Sequence, residues 1–181
     1  EEMGATVEYF DMPSLNTALP AYYIISSAEA SSNLARYDGV KYGYRTPEYK
    51  NIDELYVKSR TEAFGFLTKA TIIYGSDVLA KGKYEACYDK SLRLRRVIID
   101  KVKEVLSSYN AIITPACSKL SFEKYDLSDA FKKVYDESLY TAIPSITGLP
   151  AMVNGGVQLI ADSFKESTLL SIAHSVEKKE A

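Results

Sequence analysis

The sequence predicts an α/β fold, with several helices packed on a small, mixed sheet. Three observations carry that expectation. Two long stretches, 17–35 and 83–108, read as helices, the second with Tyr84, Cys87, Tyr88, Leu94, Ile98, Val102 and Val105 along one face. Three short runs, 111–115, 151–153 and 156–160, are apolar or β-branched and bounded by proline, glycine or asparagine. Finally, 181 residues with 46% hydrophobic and 25% charged content suit one globular domain, 1–181, and exclude a disordered or collagen-like chain.

In chain order, Ala5 to Phe10 alternate polar and apolar residues and read as a strand, which Asp11-Met12-Pro13-Ser14 turns. The helix over 17–35 has Thr17 as its N-cap and Pro20 in its first turn, where proline is tolerated. Ser26, Ser27, Ala28, Ala30, Ser31 and Ser32 are small, so another backbone can approach closely. Residues 36–45 form a loop rich in glycine and tyrosine, a type that often carries binding residues. A second helix starts at Asn51, with Glu54 completing a capping box, and runs towards Lys69. Residues 70–79 are apolar, and periodicity alone leaves helix and strand both open.

The remaining segments follow the same logic. Ala111 to Pro115 is a strand ended by proline. The stretch 116–133 is polar and irregular, and 135–147 reads as a helix interrupted near Pro144. Two strands, 151–153 and 156–160, are joined by Asn154-Gly155, which suits a type I′ hairpin. Ser163 and Glu166 cap a last helix to about Val176. There is no internal repeat.

Composition narrows the chemistry. Lys and Arg number 22 against 24 Asp and Glu, a net charge of −2, so no global field draws the chain to nucleic acid or an anionic membrane. No apolar run approaches the ~20 residues of a spanning helix, and the N-terminus resembles no secretory signal. Two cysteines, Cys87 and Cys117, make neither a disulfide framework nor a zinc pattern, so the expected compartment is the reduced cytoplasm. The single histidine, His174, falls off the apolar face formed by Leu169, Ile172, Ala173 and Val176 and reads as solvated. One histidine cannot build a multi-imidazole metal centre. Gly148, Gly155 and Gly156 lack the spacing of a phosphate loop. The basic residues Arg93, Arg95, Arg96, Lys101 and Lys103 are interrupted by Asp100 and Glu104, which favours a solvated helix flank over a phosphate-binding strip.

The run from Ala18 through Tyr22-Tyr23-Ile24-Ile25-Ser26-Ser27-Ala28-Glu29-Ala30-Ser31-Ser32-Asn33-Leu34-Ala35-Arg36-Tyr37-Asp38 to Gly39 closely resembles the amidase signature family, and within it the A subunits of glutamyl-tRNA(Gln) amidotransferases. Tyr42-Gly43-Tyr44-Arg45, Ser59-Arg60-Thr61-Glu62-Ala63-Phe64-Gly65, Gly148-Leu149-Pro150-Ala151 and Gly156 to Ile160 follow in the family's order. The resemblance implies the C-terminal part of the amidase-signature fold. It also implies a ligase system of protein biosynthesis in which glutamine is hydrolysed to supply ammonia for converting Glu-tRNA(Gln) to Gln-tRNA(Gln). Amidotransferase B and C subunits would be partners. ATP and magnesium would be used elsewhere in that complex, with no cofactor in this chain.

The family's Ser–cis-Ser–Lys triad lies on a Gly/Ser-rich stretch N-terminal to the matched region, and this sequence contains no Gly-Gly-Ser-Ser-Gly-like run. Ser26-Ser27 and Ser31-Ser32 fall within a helix, where backbone donors for an oxyanion are already consumed. Lys41 or Lys69 would need desolvation to act as a base. The resemblance therefore assigns no catalytic residue, and the isolated chain is expected to be inactive. For the glutamine pocket it retains the lining tyrosine as Tyr23. The arginine position for the substrate carboxylate holds Thr71, and the aspartate position for its ammonium holds Ser138. Asp136 and Glu137 are neighbours that would point elsewhere on a helix, ~100° per residue. A charge-assisted hydrogen bond contributes roughly 1.5–3 kcal/mol, so losing both would weaken glutamine binding by orders of magnitude. The connection between Pro150 and Gly156 is also shorter than the family's. The expected role is scaffold and pocket wall. The alternative is a non-catalytic remnant acting as an interaction or oligomerisation module, for which homo-oligomers are the natural outcome. Contact with tRNA is expected to be weak or indirect, and contact with membrane absent.

Overall fold

The structure, a computed structural model, describes residues 4–117 and 126–180. Ala5 to Phe10, expected as a strand, are exposed and join no sheet among the described residues, although Glu8 accepts from the Tyr109 hydroxyl. Alternation alone is insufficient here, because no neighbouring strand offers a ladder and Tyr9 is 97% exposed. A 3₁₀ turn over Pro13–Thr17 leads directly into α1, Ala18–Leu34. Thr17 is already helical, and its hydroxyl donates back to the Ser14 carbonyl at 2.9 Å, so it does not cap α1 as expected. Pro20 sits third in the helix, where its missing N–H costs nothing.

Asn51 does cap α2, Ile52–Ala63, accepting from the Glu54 amide at 2.9 Å. The reciprocal arm differs from a strict capping box: Glu54 accepts from the Lys50 amide at 2.6 Å. The expected continuation to Lys69 breaks at extended Phe64 and Gly65, and α3, Phe66–Val78, resolves the ambiguous apolar run as helix. A π-helical turn, Tyr84–Asp89, opens α4, Lys90–Leu106. Ile98, Val102 and Leu106 are buried from α4, with Val105 only half-buried. The strand β1, Ile112–Pro115, stands as expected.

Within the stretch expected to be irregular, 118–125 lie outside the described residues, but Leu127–Glu137 form α5. The short α6, Ala142–Thr147, carries Pro144 in its first turn. The hairpin strands are β2, Ala151–Asn154, and β3, Val157–Ile160, paired Asn154 to Val157. Its two-residue loop is therefore Gly155-Gly156, one residue later than expected. Their φ values of 57° and 81° are the pair of positive angles that a type I′ turn requires. The last helix, α7, spans Glu166–Glu180. Ser163 does not cap it. Residues 162–164 form a turn, with Phe164 at φ 61°, before the helix begins.

The α/β class is realised as a three-stranded sheet in the order β1-β3-β2. The described pairings are all antiparallel rather than mixed. β1 and β2 run the same way, but β3 lies between them, so the α5–α6 crossover creates no parallel pair. On one face Ile160 joins Ala18, Ala21, Ile25, Ile98, Val102, Leu106, Ile143 and Ile146 in the main core. Gln158, buried on that same face, satisfies its amide on the Thr114 hydroxyl at 2.9 Å and the Tyr140 carbonyl at 3.1 Å. On the other face Leu159 packs with Ala161 and Leu169, and α7 supplies the cover. No helix among the described residues is long and apolar enough to cross a membrane.

Candidate functional site

The residues singled out from the sequence divide unevenly. Tyr23 projects from α1 to α5, where its hydroxyl lies 3.2 Å from the Ser138 hydroxyl and 3.3 Å from the Val134 carbonyl. Ser138, the residue that ends α5, donates to Val134 at 2.7 Å, the shortest of these contacts. That bond takes the serine proton, so the Tyr23 hydroxyl donates to the Val134 carbonyl or to the Ser138 oxygen and in either case retains its own oxygen lone pairs. The Tyr23 ring lies 5.0 Å from that of Tyr135, tilted by 34°. Thr71 is on α3, and its hydroxyl donates to the Leu67 carbonyl of the same helix at 2.9 Å. Tyr23 and Ser138 are thus directly bonded, while the Thr71 hydroxyl is spent on its own helix.

Around Tyr23 opens a cavity of about 240 Å³ lined by Pro20, Tyr23, Tyr74, Phe131 and Tyr135. Three of these residues are not singled out by sequence. Tyr74 lies in the run whose period is ambiguous. Phe131 and Tyr135 lie in or beside the stretch expected to be irregular, although their i, i+4 spacing is the signal of one helical face. Burial pushes the Tyr74 phenol above its ordinary value of 10, with Cys87 adding to the effect, so it is protonated at neutral pH.

The serines of α1 serve packing. Gly75 of α3 meets the backbone at Ser27, and Ser31 bonds Ser76 at 2.8 Å. Lys69 donates to the Thr61 carbonyl at 2.8 Å, and Lys41 is exposed. The glycine- and tyrosine-rich loop is clamped by α2. Arg60 donates to the Leu34 and Tyr37 carbonyls at 2.8 and 3.0 Å, and Ser59 accepts from the Thr46 amide at 3.0 Å. A second cavity, about 300 Å³, lies against this loop at Asn33, Arg36, Tyr37 and Tyr42, but Arg36 already donates to Asn33 there. His174 is exposed, as its place off the apolar face implies.

Three basic residues of α4 are neutralised locally. Arg93 pairs with Asp89, Arg96 with Asp100 and Lys101 with Glu104, while Arg95 donates to the Ile146 carbonyl. Among the described residues, no three histidine, cysteine, aspartate or glutamate side chains group to hold a metal ion.

Comparison with known proteins shows the family. The amidase family model matches residues 1–170. The A subunit of glutamyl-tRNA(Gln) amidotransferase from Clostridium botulinum (strain Loch Maree / Type A3) is 42% identical over 187 aligned positions, which cover 98% of this chain and 39% of that protein. An A subunit from Clostridium acetobutylicum matches with the same identity and coverage. The crystal structure of the Thermotoga maritima A subunit superposes with a TM-score of 0.60 at 28% identity, covering 92% of this chain and 33% of that one. A protein from a vestigial complex bearing on the origin of an s-triazine catabolic enzyme shares the fold, with a TM-score of 0.57 at 21% identity; 90% of this chain and 34% of that one are covered. The chain therefore spans about two-fifths of the length of the curated relatives it matches. With the family's pattern running through residues 1–170 and its fold shared with a solved A subunit, this chain belongs to the amidase family.

Proposed function

We propose that this chain is the scaffold and one pocket wall of an amidotransferase A-type subunit, and that it does not itself break the amide bond. In this reading the complete protein hydrolyses glutamine in the cytoplasm, and the ammonia converts Glu-tRNA(Gln) to Gln-tRNA(Gln) in company with B and C subunits. The observation that carries it is the wall of Tyr23, Tyr135 and Ser138 joining α1 to α5, with no triad-bearing Gly/Ser-rich run in the sequence. The serines of α1 are engaged in helix packing and Lys69 in a backbone contact, so none supplies an activated nucleophile. The described residues offer no grouped ligands for magnesium, and the sequence has no phosphate loop. In this reading ATP and magnesium are used elsewhere in the complex. The test is ammonia release from glutamine by the purified 181-residue chain. No release above the buffer blank is expected, and turnover that persists through further purification overturns the proposal.

A second reading, a non-catalytic module that associates with itself, is favoured by one observation. An apolar groove at Ile113, Val157, Leu159, Ile172, Ala173 and Val176 lies between the sheet and α7. Sedimentation velocity over a hundredfold concentration range decides it. A monomer throughout removes this reading.

A further inference from the structure

We propose that Asn154 is a self-modifying site: the Gly155 backbone nitrogen attacks its side-chain amide, leaving an aspartate or isoaspartate that loosens the end of α7. The inference is independent of the pocket-wall reading. Asn154 is the only one of the chain's five asparagines followed by glycine, and glycine has no Cβ to shield its nitrogen. Asn154 and Val157 close the hairpin, so the two-residue loop leaves the Gly155 N–H without a ladder partner. Gly155 is exposed, and a Cβ built on it would meet nothing within 4 Å, so water and hydroxide reach this nitrogen. The Asn154 side chain makes one hydrogen bond among the described residues, an exposed one from Nδ2 to Glu177 Oε1 at 3.1 Å. Asp38-Gly39 shows the contrasting, protected case. There the carboxylate accepts the Val40 and Lys41 amides, and the Gly39 N–H donates to the Tyr42 carbonyl at 3.1 Å. Ser59 fills the space beside Gly39, with its hydroxyl 2.7 Å from where a Cβ would stand.

The step needs only water and hydroxide. Hydroxide takes the Gly155 N–H proton, and the nitrogen lone pair forms a C–N bond to the Asn154 Cγ. The bond from Cγ to Nδ2 then breaks, and that nitrogen takes a proton from water and leaves as ammonia. Water opens the resulting succinimide at Cγ, giving aspartate, or at the backbone carbonyl carbon, giving isoaspartate. One water is consumed and one ammonia released, with no oxidant or reductant. Either product replaces the Nδ2 donor by a carboxylate that faces Glu177, and like charges repel. Isoaspartate also adds a backbone atom at the end of β2, which the two-residue loop cannot absorb in register. The Asn154–Glu177 bond ties the turn to α7 beside the groove lined by Ile172 and Val176, so its loss frees the last turns of α7 from the sheet.

The test incubates the 181-residue chain at neutral and at mildly alkaline pH. Peptide mapping that separates asparagine, aspartate and isoaspartate follows position 154, position 38 and the other four asparagines. Position 154 is expected to convert about tenfold faster than any of them or more, and faster still at the higher pH. In a second arm, Asn154→Asp is expected to speed amide exchange over 172–177 by about two- to fivefold, and adding Glu177→Gln to reverse that change. An unchanged far-ultraviolet circular dichroism spectrum confirms that both variants fold. The proposal is overturned if position 154 converts no faster than the other asparagines or than position 38. It is also overturned if exchange over 172–177 is unchanged in folded Asn154→Asp, or if Glu177→Gln does not reverse it. The ammonia formed here is capped at one per chain and appears without glutamine. Glutamine turnover, which overturns the pocket-wall reading, is therefore read separately.

Discussion

At the scale of single residues, Gly75 shows most clearly how this sequence sets its packing. A Cβ placed there would lie 1.9 Å from the Ser27 carbonyl oxygen and 2.5 Å from its carbon, both backbone atoms of a packed helix. Neither can retreat without moving α1, so Gly75→Ala is expected to destabilise by about 1–3 kcal/mol or more, read as a lowered urea midpoint. An unchanged midpoint would mean that α1 and α3 are not in this contact. Beside it the Ser31–Ser76 hydroxyl pair fills the same narrow seam. Here the sequence is legible, because the small residues of 26–32 announce a close backbone approach without saying which element makes it. Tyr23 gives a gentler test. Tyr23→Phe removes one hydroxyl and leaves Ser138 still donating to Val134, so a loss of about 1 kcal/mol is expected by the same measurement.

At the scale of elements, α2 and the loop it clamps are held by charge as well as shape. Asp38 accepts the Val40 and Lys41 amides at 2.8 and 3.2 Å, and these bonds hold its carboxyl below the ordinary 3.8. Lys58, followed by the Lys50 amide, holds Glu54 below its ordinary 4.5. Carboxyls lowered by folding stabilise fully above their unfolded values, and that contribution is lost as pH falls through the folded ones. Acid below about pH 4 is therefore expected to speed amide exchange at Val40 and Lys41 before the core opens. Asp38→Asn should remove that acid dependence in the loop and leave that of α2 intact. An exchange rate in this loop that follows only intrinsic pH dependence would sink the argument. Residues 59–65 read in sequence as part of a helix and as a family segment, yet Ser59 and Arg60 prove to be what fastens the loop to the end of α1. That role is not legible, because the partners lie 13 to 26 residues away and are backbone groups with no side-chain signature. For α5 the limit is different: Leu127, Ala130, Phe131 and Val134 recur at i, i+3, i+4 and i+7, but the run around them is polar enough to read as irregular. Residues 5–10 fail the opposite way, carrying a strand's alternation with no strand beside them.

At the scale of the whole molecule, the two faces of the sheet are covered by unlike layers, a bundle centred on α1 and α4 on one side and α7 alone on the other. The charges of the whole chain nearly cancel. The total is 22 − 24 = −2. In the most basic helix, α4, Arg93, Arg96 and Lys101 pair with Asp89, Asp100 and Glu104. These pairs are exposed and individually weak, but they cancel the local field that phosphates would need. Tight nucleic-acid binding by phosphate neutralisation takes about 6–10 contacts and makes affinity fall steeply with salt. Outside these pairs α4 has only Lys90, Arg95 and Lys103, fewer cations than such a strip needs. The chain is accordingly expected not to retard tRNA in a gel at about 150 mM salt, roughly the physiological ionic strength, and to show only weak association at low salt. A Kd tighter than about 1 µM at that ionic strength, with a logarithmic salt slope of about −5 or steeper, would show instead that the α4 pairs open to admit phosphates. In that case Arg93→Ala and Arg96→Ala should each flatten the slope by nearly one unit.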